Sequence, residues 1–312
     1  MSTLAAIQPF LAPKDLAMTT FKRILIALDF SDADENLIRY TEFLSKIYRP
    51  EDLYFIHCAP TLVQQLDFSP RFKEENPFNK PLDEELASNI RHRVHRYFSD
   101  PGPSNVHAEV IEGRPEQQIR HWAEVKSVDL VVLGRHIDGK ENAVEVKRLM
   151  RQLPCNVLIV PQSTEPSVQN ITVPVDFSSE SAAAIFQARR IAERLDDVAI
   201  TVLHVFDIPP GHFQLSRSAD QFERIMGANA RDALERFLQK CGATDLLPKA
   251  VLLPAEAANP SREIHHYLND HPADLVIMGA KGHSAVERFL VGSVTEGLVD
   301  RHERQALLVV KP

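Results

Sequence analysis

Asn170 to Leu195 reads NITVPVDFSSESAAAIFQARRIAERL. Ile171–Val175 is short and largely β-branched, as a buried strand requires. Pro174 falls near its end, where a missing N–H is tolerable. Ala184, Ala188, Ile191, Ala192 and Leu195 then recur at helical spacing. A strand that passes straight into a helix opens a βα unit.

The chain contains this unit twice. KRILIALDFSDADENLIRYTEFL begins at Lys22, and Asp29-Phe30-Ser31 matches Asp176-Phe177-Ser178. His57 in LYFIHC matches His204 in ITVLHV at the same offset. DLVVLGRH from Asp129 matches DLVIMGAKG from Asp274, and NVLIVP from Asn156 matches ALLVVKP from Ala306. Four matches in one order make a tandem repeat. The two domains span residues 21–161 and 170–312, joined by the polar linker Gln162–Asn170.

Each copy alternates short apolar strands with helical stripes. In the second, strands are expected at Ala199–Val205, Ala250–Leu253, Asp274–Met278 and Ala306–Val310. Helices are expected around Phe222–Gln239, Ser261–Leu268 and Val294–Arg301. Continuous apolar strands separated by helices predict an α/β fold with a parallel sheet buried on both faces. A long stretch follows the second strand of each copy, with Phe68, Phe72 and Phe78 in one and Phe213 and Phe222 in the other. Such a stretch could cover a site or an interface.

Bulk properties narrow the function. The 312 residues carry a net charge of -8, which disfavours nucleic acid as the main partner. The three cysteines, Cys58, Cys155 and Cys241, lie far apart and form no CxxC pair. That disfavours a disulfide framework or a cysteine zinc site and fits a reducing, cytoplasmic compartment. No apolar run approaches a membrane span. The start, MSTLAAIQPFLAPKDLAMTT, lacks an early positive charge and carries two prolines, and reads as an extension.

The chemistry gathers at Met278–Gly297, MGAKGHSAVERFLVGSVTEG, which holds four of the 11 glycines. Gly279 follows a strand, and Gly292-Ser293 precedes a helix. Ligands of open parallel sheets bind at the carboxyl ends of strands, and a helix start attracts phosphate. The loop matches neither the Walker pattern nor GxGxxG. Two readings stay open on spacing alone: a phosphate cradle, or a capping box at Ser293–Glu296 with ordinary turn glycines.

The pattern resembles the universal stress protein family over nearly the whole chain, from about Phe21 to Pro312. Gly279, Gly282, Gly292 and Ser293 satisfy the G-x2-G-x9-G-[ST] of its nucleotide-binding members. The resemblance implies two five-stranded parallel sheets of order 3-2-1-4-5 with flanking helices, packed as a pseudo-dimer through their last strands. Further homodimerisation stays open. It also implies ATP, or ADP or AMP, at the strand ends, with Mg²⁺ a common companion of a triphosphate. By position, Pro174, Val175 and Asp176 would line the nucleotide and Val205 would meet the adenine. Gly279 and Gly282 would approach ribose and phosphates. Gly292, Ser293, Val294 and Thr295 would give donors to the phosphates.

The first copy departs from the pattern: after Gly134 comes RHIDGKENAVEVKR, without the glycines and with Glu141 and Glu145 near the phosphate position. Lys281 and His283 read as solvated side chains. His57 and His204 read as structural histidines, His92 and His95 as surface, and His265-His266 cannot converge on one ligand. No HExxH, GxSxG or SGGxDS occurs, so no catalytic or metal constellation is expected. The function implied is a nucleotide-binding stress or regulatory protein with unidentified protein partners. A weak ATPase and a scaffold with a vestigial site are the alternatives.

Overall fold

A computed structural model describes residues 20–59, 82–98, 105–136, 140–208, 219–255, 259–281, 291–301 and 304–311. In the amino-terminal half, strands β1 (Arg23–Leu28), β2 (Asp52–Ala59), β3 (Asn105–Glu112), β4 (Leu130–Arg135) and β5 (Asn156–Pro161) alternate with helices α1 (Ala33–Tyr48), α2 (Leu82–Tyr97), α3 (Pro115–Val125) and α4 (Lys140–Gln152). The carboxyl-terminal half repeats this with β6 (Asn170–Pro174), β7 (Ala199–Asp207), β8 (Val251–Ala255), β9 (Leu275–Gly279) and β10 (Ala306–Val310). Its helices are α5 (Ser179–Ala192), α6 (Ala219–Lys240), α7 (Pro260–Asp270) and α8 (Ser293–Arg301), with a 3₁₀ turn at Thr244–Lys249.

The strands form one sheet of order β3-β2-β1-β4-β5-β10-β9-β6-β7-β8. Each half is the expected 3-2-1-4-5 parallel sheet. The halves join through β5 and β10, which run antiparallel with Leu308 opposite Leu158. The expected pseudo-dimer is therefore a continuous sheet. Pro174 closes β6, and Pro254 sits on the outer strand β8, where no neighbour needs its N–H. The loop phenylalanines Phe68, Phe72, Phe78 and Phe213 lie outside the described residues, whereas Phe222 lies in α6.

Equivalent bonds lock the start of each half. Asp129 Oδ2 accepts the N–H groups of Lys22 and Arg23 at 2.9 and 2.8 Å. Asp274 Oδ2 accepts those of Gln169 and Asn170, both at 2.8 Å. One apolar layer, with α1, α2, α5 and α6, covers one face of the sheet. A second, with α3, α4, α7 and α8, covers the other. Both layers run through the two halves. Burying this much apolar surface on either side of a strand is what makes the strands read as unbroken apolar runs.

Polar ties reinforce the join. On one face Tyr48 donates to Gln187, and Arg194 donates to the Ile47 carbonyl. On the other, Lys311 Nζ donates to the Met150 and Leu153 carbonyls at the end of α4. Burial pushes that ammonium down to about 8, and the charge of Lys281 pushes it the same way. Arg135, 5% exposed, donates to the Val299 and Asp300 carbonyls at the end of α8. Each half thus places a cation at a helix carboxyl end of the other.

Candidate functional site

The carboxyl ends of β6, β7 and β9 open onto a cavity of about 410 Å³, closed on one side by the start of α8. Pro174, Val175 and Asp176 line it from β6 and the turn beyond. Leu203, His204 and Val205 line it from β7, and Met278 and Gly279 from β9. Gly292, Ser293, Val294 and Thr295 line it from α8 and the residue before it. Nine of the ten residues singled out in the sequence thus meet here. Gly282, like His283, lies outside the described residues.

The turn after β6 is built around Asp176. Its Oδ1 accepts the hydroxyls of Ser178 and Ser181, both at 2.6 Å, and the Ser178 N–H at 3.2 Å. Ser178 in turn caps α5 by accepting the Ser181 N–H. Asp176 therefore stiffens the turn while presenting its side chain to the cavity. Between them Phe177 adopts φ 67°, a left-handed conformation that costs a non-glycine residue about 1–2 kcal/mol. Its ring packs on His204, centroids 4.2 Å apart, and on Phe237 at 5.5 Å. Phe30 repeats this at φ 63°, against His57 at 4.5 Å.

His204 Nδ1 lies 2.8 Å from the Val175 carbonyl, which can only accept, so Nδ1 carries the proton. Burial lowers the imidazole below its ordinary pKa, outweighing that bond and the nearby carboxylates of Asp176 and Asp207. The ring is then neutral near pH 7, with Nε2 unprotonated.

Gly279 has a packing reason for being glycine. A Cβ there would stand 2.6 Å from Glu180 Cβ and 3.0 Å from the Glu180 carbonyl carbon. The glycine lets the start of α5 close on β9. Its partner in the repeat, Gly134, would meet only Leu37 Cδ2 at 3.8 Å.

The start of α8 is anchored, and its donors are divided. The Gly292 N–H already bonds the Ala280 carbonyl at 2.7 Å, and the Thr295 hydroxyl bonds the Gly279 carbonyl at 3.1 Å. The backbone N–H groups of Ser293, Val294 and Thr295 open the helix, so no helix carbonyl lies upstream to receive them. The capping box does not form. Ser293 is the first helical residue, and the Glu296 carboxylate is held by Arg151 through two bonds of 2.6 Å. A long-range ion pair has taken the group that a local motif would use.

Lys281, read from sequence as a solvated side chain, lines the cavity. Ser181, Asp207, Pro260 and Ile264 line it as well and went unselected. The only sequence signal for Ser181 was its place one helical turn beyond the Asp176 motif.

The corresponding place in the amino-terminal half differs in size and charge. Its cavity is about 140 Å³ and is lined by Asp29, Asp34, Glu145, His57 and His136. Asp34, 2% exposed, accepts the N–H groups of Asp29 and Phe30 at 3.1 and 2.9 Å. Burial pushes its carboxyl up to about 6. Asp29 pairs with His136 at 2.9 Å. Burial raises the Asp29 carboxyl, but hydrogen bonds from Ser31 and His136 outweigh it and leave the pKa below the ordinary value. The Glu141 side chain lies outside the described residues. Among the described residues, no three His, Cys, Asp or Glu side chains converge as a metal site, and no helix is long and apolar enough to cross a membrane.

Known proteins share both the sequence pattern and the architecture. The sequence profile of the universal stress protein family matches residues 20–161 and again 167–311. A curated family relative from Staphylococcus epidermidis is 34% identical over 152 residues, covering 46% of this chain and 85% of its own. A solved universal stress protein from Pseudomonas aeruginosa superposes with a TM-score of 0.68 at 17% identity, covering 95% of both chains. One from Archaeoglobus fulgidus does so with a TM-score of 0.60 at 16% identity, covering 93% of this chain and 98% of its own. These two likenesses concern the fold. Matched twice along its length, the chain belongs to the universal stress protein family as a tandem two-domain member.

Proposed function

We propose that the carboxyl-terminal half binds one adenine nucleotide, ATP or its di- or monophosphate, and that the chain works as a nucleotide-dependent stress-response regulator. The observation that carries this is the convergence of an apolar strand-end cavity with an open helix start. Leu203, Val205, Ile264 and Met278 offer an apolar floor suited to a base. Ser293, Val294 and Thr295 offer backbone donors suited to phosphate, with Lys281 supplying positive charge. The cavity volume lies in the range of small-ligand sites. A triphosphate would bring Mg²⁺ with it.

Turnover is expected to be slow or absent. Asp176 lines the cavity from the turn after β6, and one of its oxygens already serves two hydroxyls and an N–H. A general base needs an oxygen within reach of the attacking water. The amino-terminal half is expected to take no triphosphate, because Asp34, Asp29 and Glu145 line its smaller cavity. Three free thiols accord with a reducing, cytoplasmic setting.

Mass spectrometry of the denatured, purified protein tests the reading. Recovery of a stoichiometric adenine nucleotide supports it. A protein that releases none, and that shows no ATP binding by calorimetry, contradicts it.

A further inference from the structure

Helix α8 lies between two structures. Its amino end faces the cavity, and the rest of it is held by the other half of the chain. Arg151 of α4 grips Glu296 with two bonds of 2.6 Å, and Lys147 of α4 pairs with Asp300 at 2.5 Å. Buried Arg135 takes the terminal carbonyls of Val299 and Asp300. All three cations come from the amino-terminal half, and all three ligated positions lie on one nine-residue helix.

We infer that the amino-terminal half tunes the neighbouring site, with Arg151 acting as a positioning residue that neutralises Glu296 and fixes the anion-facing end of α8. This rests on the nucleotide reading above. Glu296 stands one residue past Thr295, in the first turn of α8. An unpaired carboxylate there competes with a bound phosphate for the positive end of the helix. The bidentate guanidinium cancels that charge and fixes the side chain pointing toward α4. Lys147 and Arg135 act at the opposite end, where cations complement the carbonyls and hold the helix in place.

This gives the half with the acidic cavity a role of its own. It does not need to bind the nucleotide to influence it. By linkage, whatever loosens α4 from α8 weakens phosphate binding, and phosphate binding tightens the join between the halves by the same factor.

The test compares ATP and adenosine binding by calorimetry in the full-length chain. For Arg151→Ala, ATP affinity is expected to fall about threefold or more, in keeping with a partly exposed charge one turn from the anion. Adenosine, which has no phosphate, is expected to bind as to wild type. In Arg151→Ala/Glu296→Gln the orphaned charge is gone, and ATP affinity is expected to return to within about twofold of wild type. Equal ATP affinity in wild type and Arg151→Ala overturns the inference while leaving the nucleotide reading intact. An equal loss of ATP and adenosine, or no rescue by Glu296→Gln, shows a general packing role and also overturns it. If wild type binds neither ligand, the nucleotide reading itself fails, and this inference with it.

Discussion

The carboxylate of Asp34 receives the N–H groups of Asp29 and Phe30, whereas at the matching turn the hydroxyl of Ser181 receives the N–H of Asp176. The same backbone turn is thus closed by a charge in one half and by a neutral group in the other. Ser181 also lines the larger cavity, and Asp34 the smaller. A neutral closing group leaves room for an anion at the strand ends. A buried carboxylate repels one.

This relationship has a pH signature. Burial raises the Asp34 pKa from 3.8 to about 6, so the folded state prefers the protonated form. Its favourable contribution is complete below about pH 4, declines as pH rises, and is lost above about pH 6. The shift corresponds to about 3 kcal/mol. Urea denaturation of wild type and Asp34→Ser between pH 4 and pH 8 should show wild type losing stability relative to the variant as pH rises. Parallel profiles would show that Asp34 carries no burial penalty.

The two repeat glycines should behave differently. Gly279→Ala drives a Cβ into Glu180 and should cost about 1–3 kcal/mol, as overpacking does. Gly134→Ala meets only ordinary contact with Leu37 and should change stability by less than about 0.5 kcal/mol. Denaturation midpoints of the two variants check this, and equal midpoints would count against the close approach of α5 to β9.

Gly292→Asp should separate folding from binding. The residue precedes Ser293, the first of α8, so aspartate there can cap the helix by accepting the backbone N–H groups of its first turn. Those are the donors assigned to phosphate. Each lost charge-assisted bond costs about 1.5–3 kcal/mol of binding, so ATP affinity should fall by more than tenfold while thermal stability holds or rises. Undiminished ATP affinity would move the phosphates away from α8.

The central join can be trapped chemically. Leu158 and Leu308 are directly opposed across β5 and β10, a spacing that suits a disulfide. Leu158→Cys/Leu308→Cys should cross-link within a single chain under mild oxidation. Val309 faces Val157, so a pair at Ile159 and Val309 is out of register and should cross-link less efficiently. Equal efficiency for both pairs would contradict the register.

Much of this architecture is legible in the sequence. The recurrence of Asp29-Phe30-Ser31 as Asp176-Phe177-Ser178 identifies the repeat, and the family resemblance implies that the apolar last strands pair. The register was not legible, because Val157–Val160 is buried on both faces and has no polar alternation to fix it. Spacing leaves a capping box at Glu296 open, because Arg151, its partner, is distant in sequence. The packing reason for Gly279 is not legible in the sequence, because the approach of Glu180 is a tertiary event. The Asp34 and Ser181 substitution was visible in the repeat, yet its meaning depends on burial.

Calorimetric titration of the nucleotide-free, full-length chain with ATP tests the asymmetry of the two halves most directly. One equivalent of ATP should bind, and Gly292→Asp should weaken that binding by more than tenfold. Two equivalents, or one whose affinity is undiminished in Gly292→Asp, would contradict a single site at the start of α8.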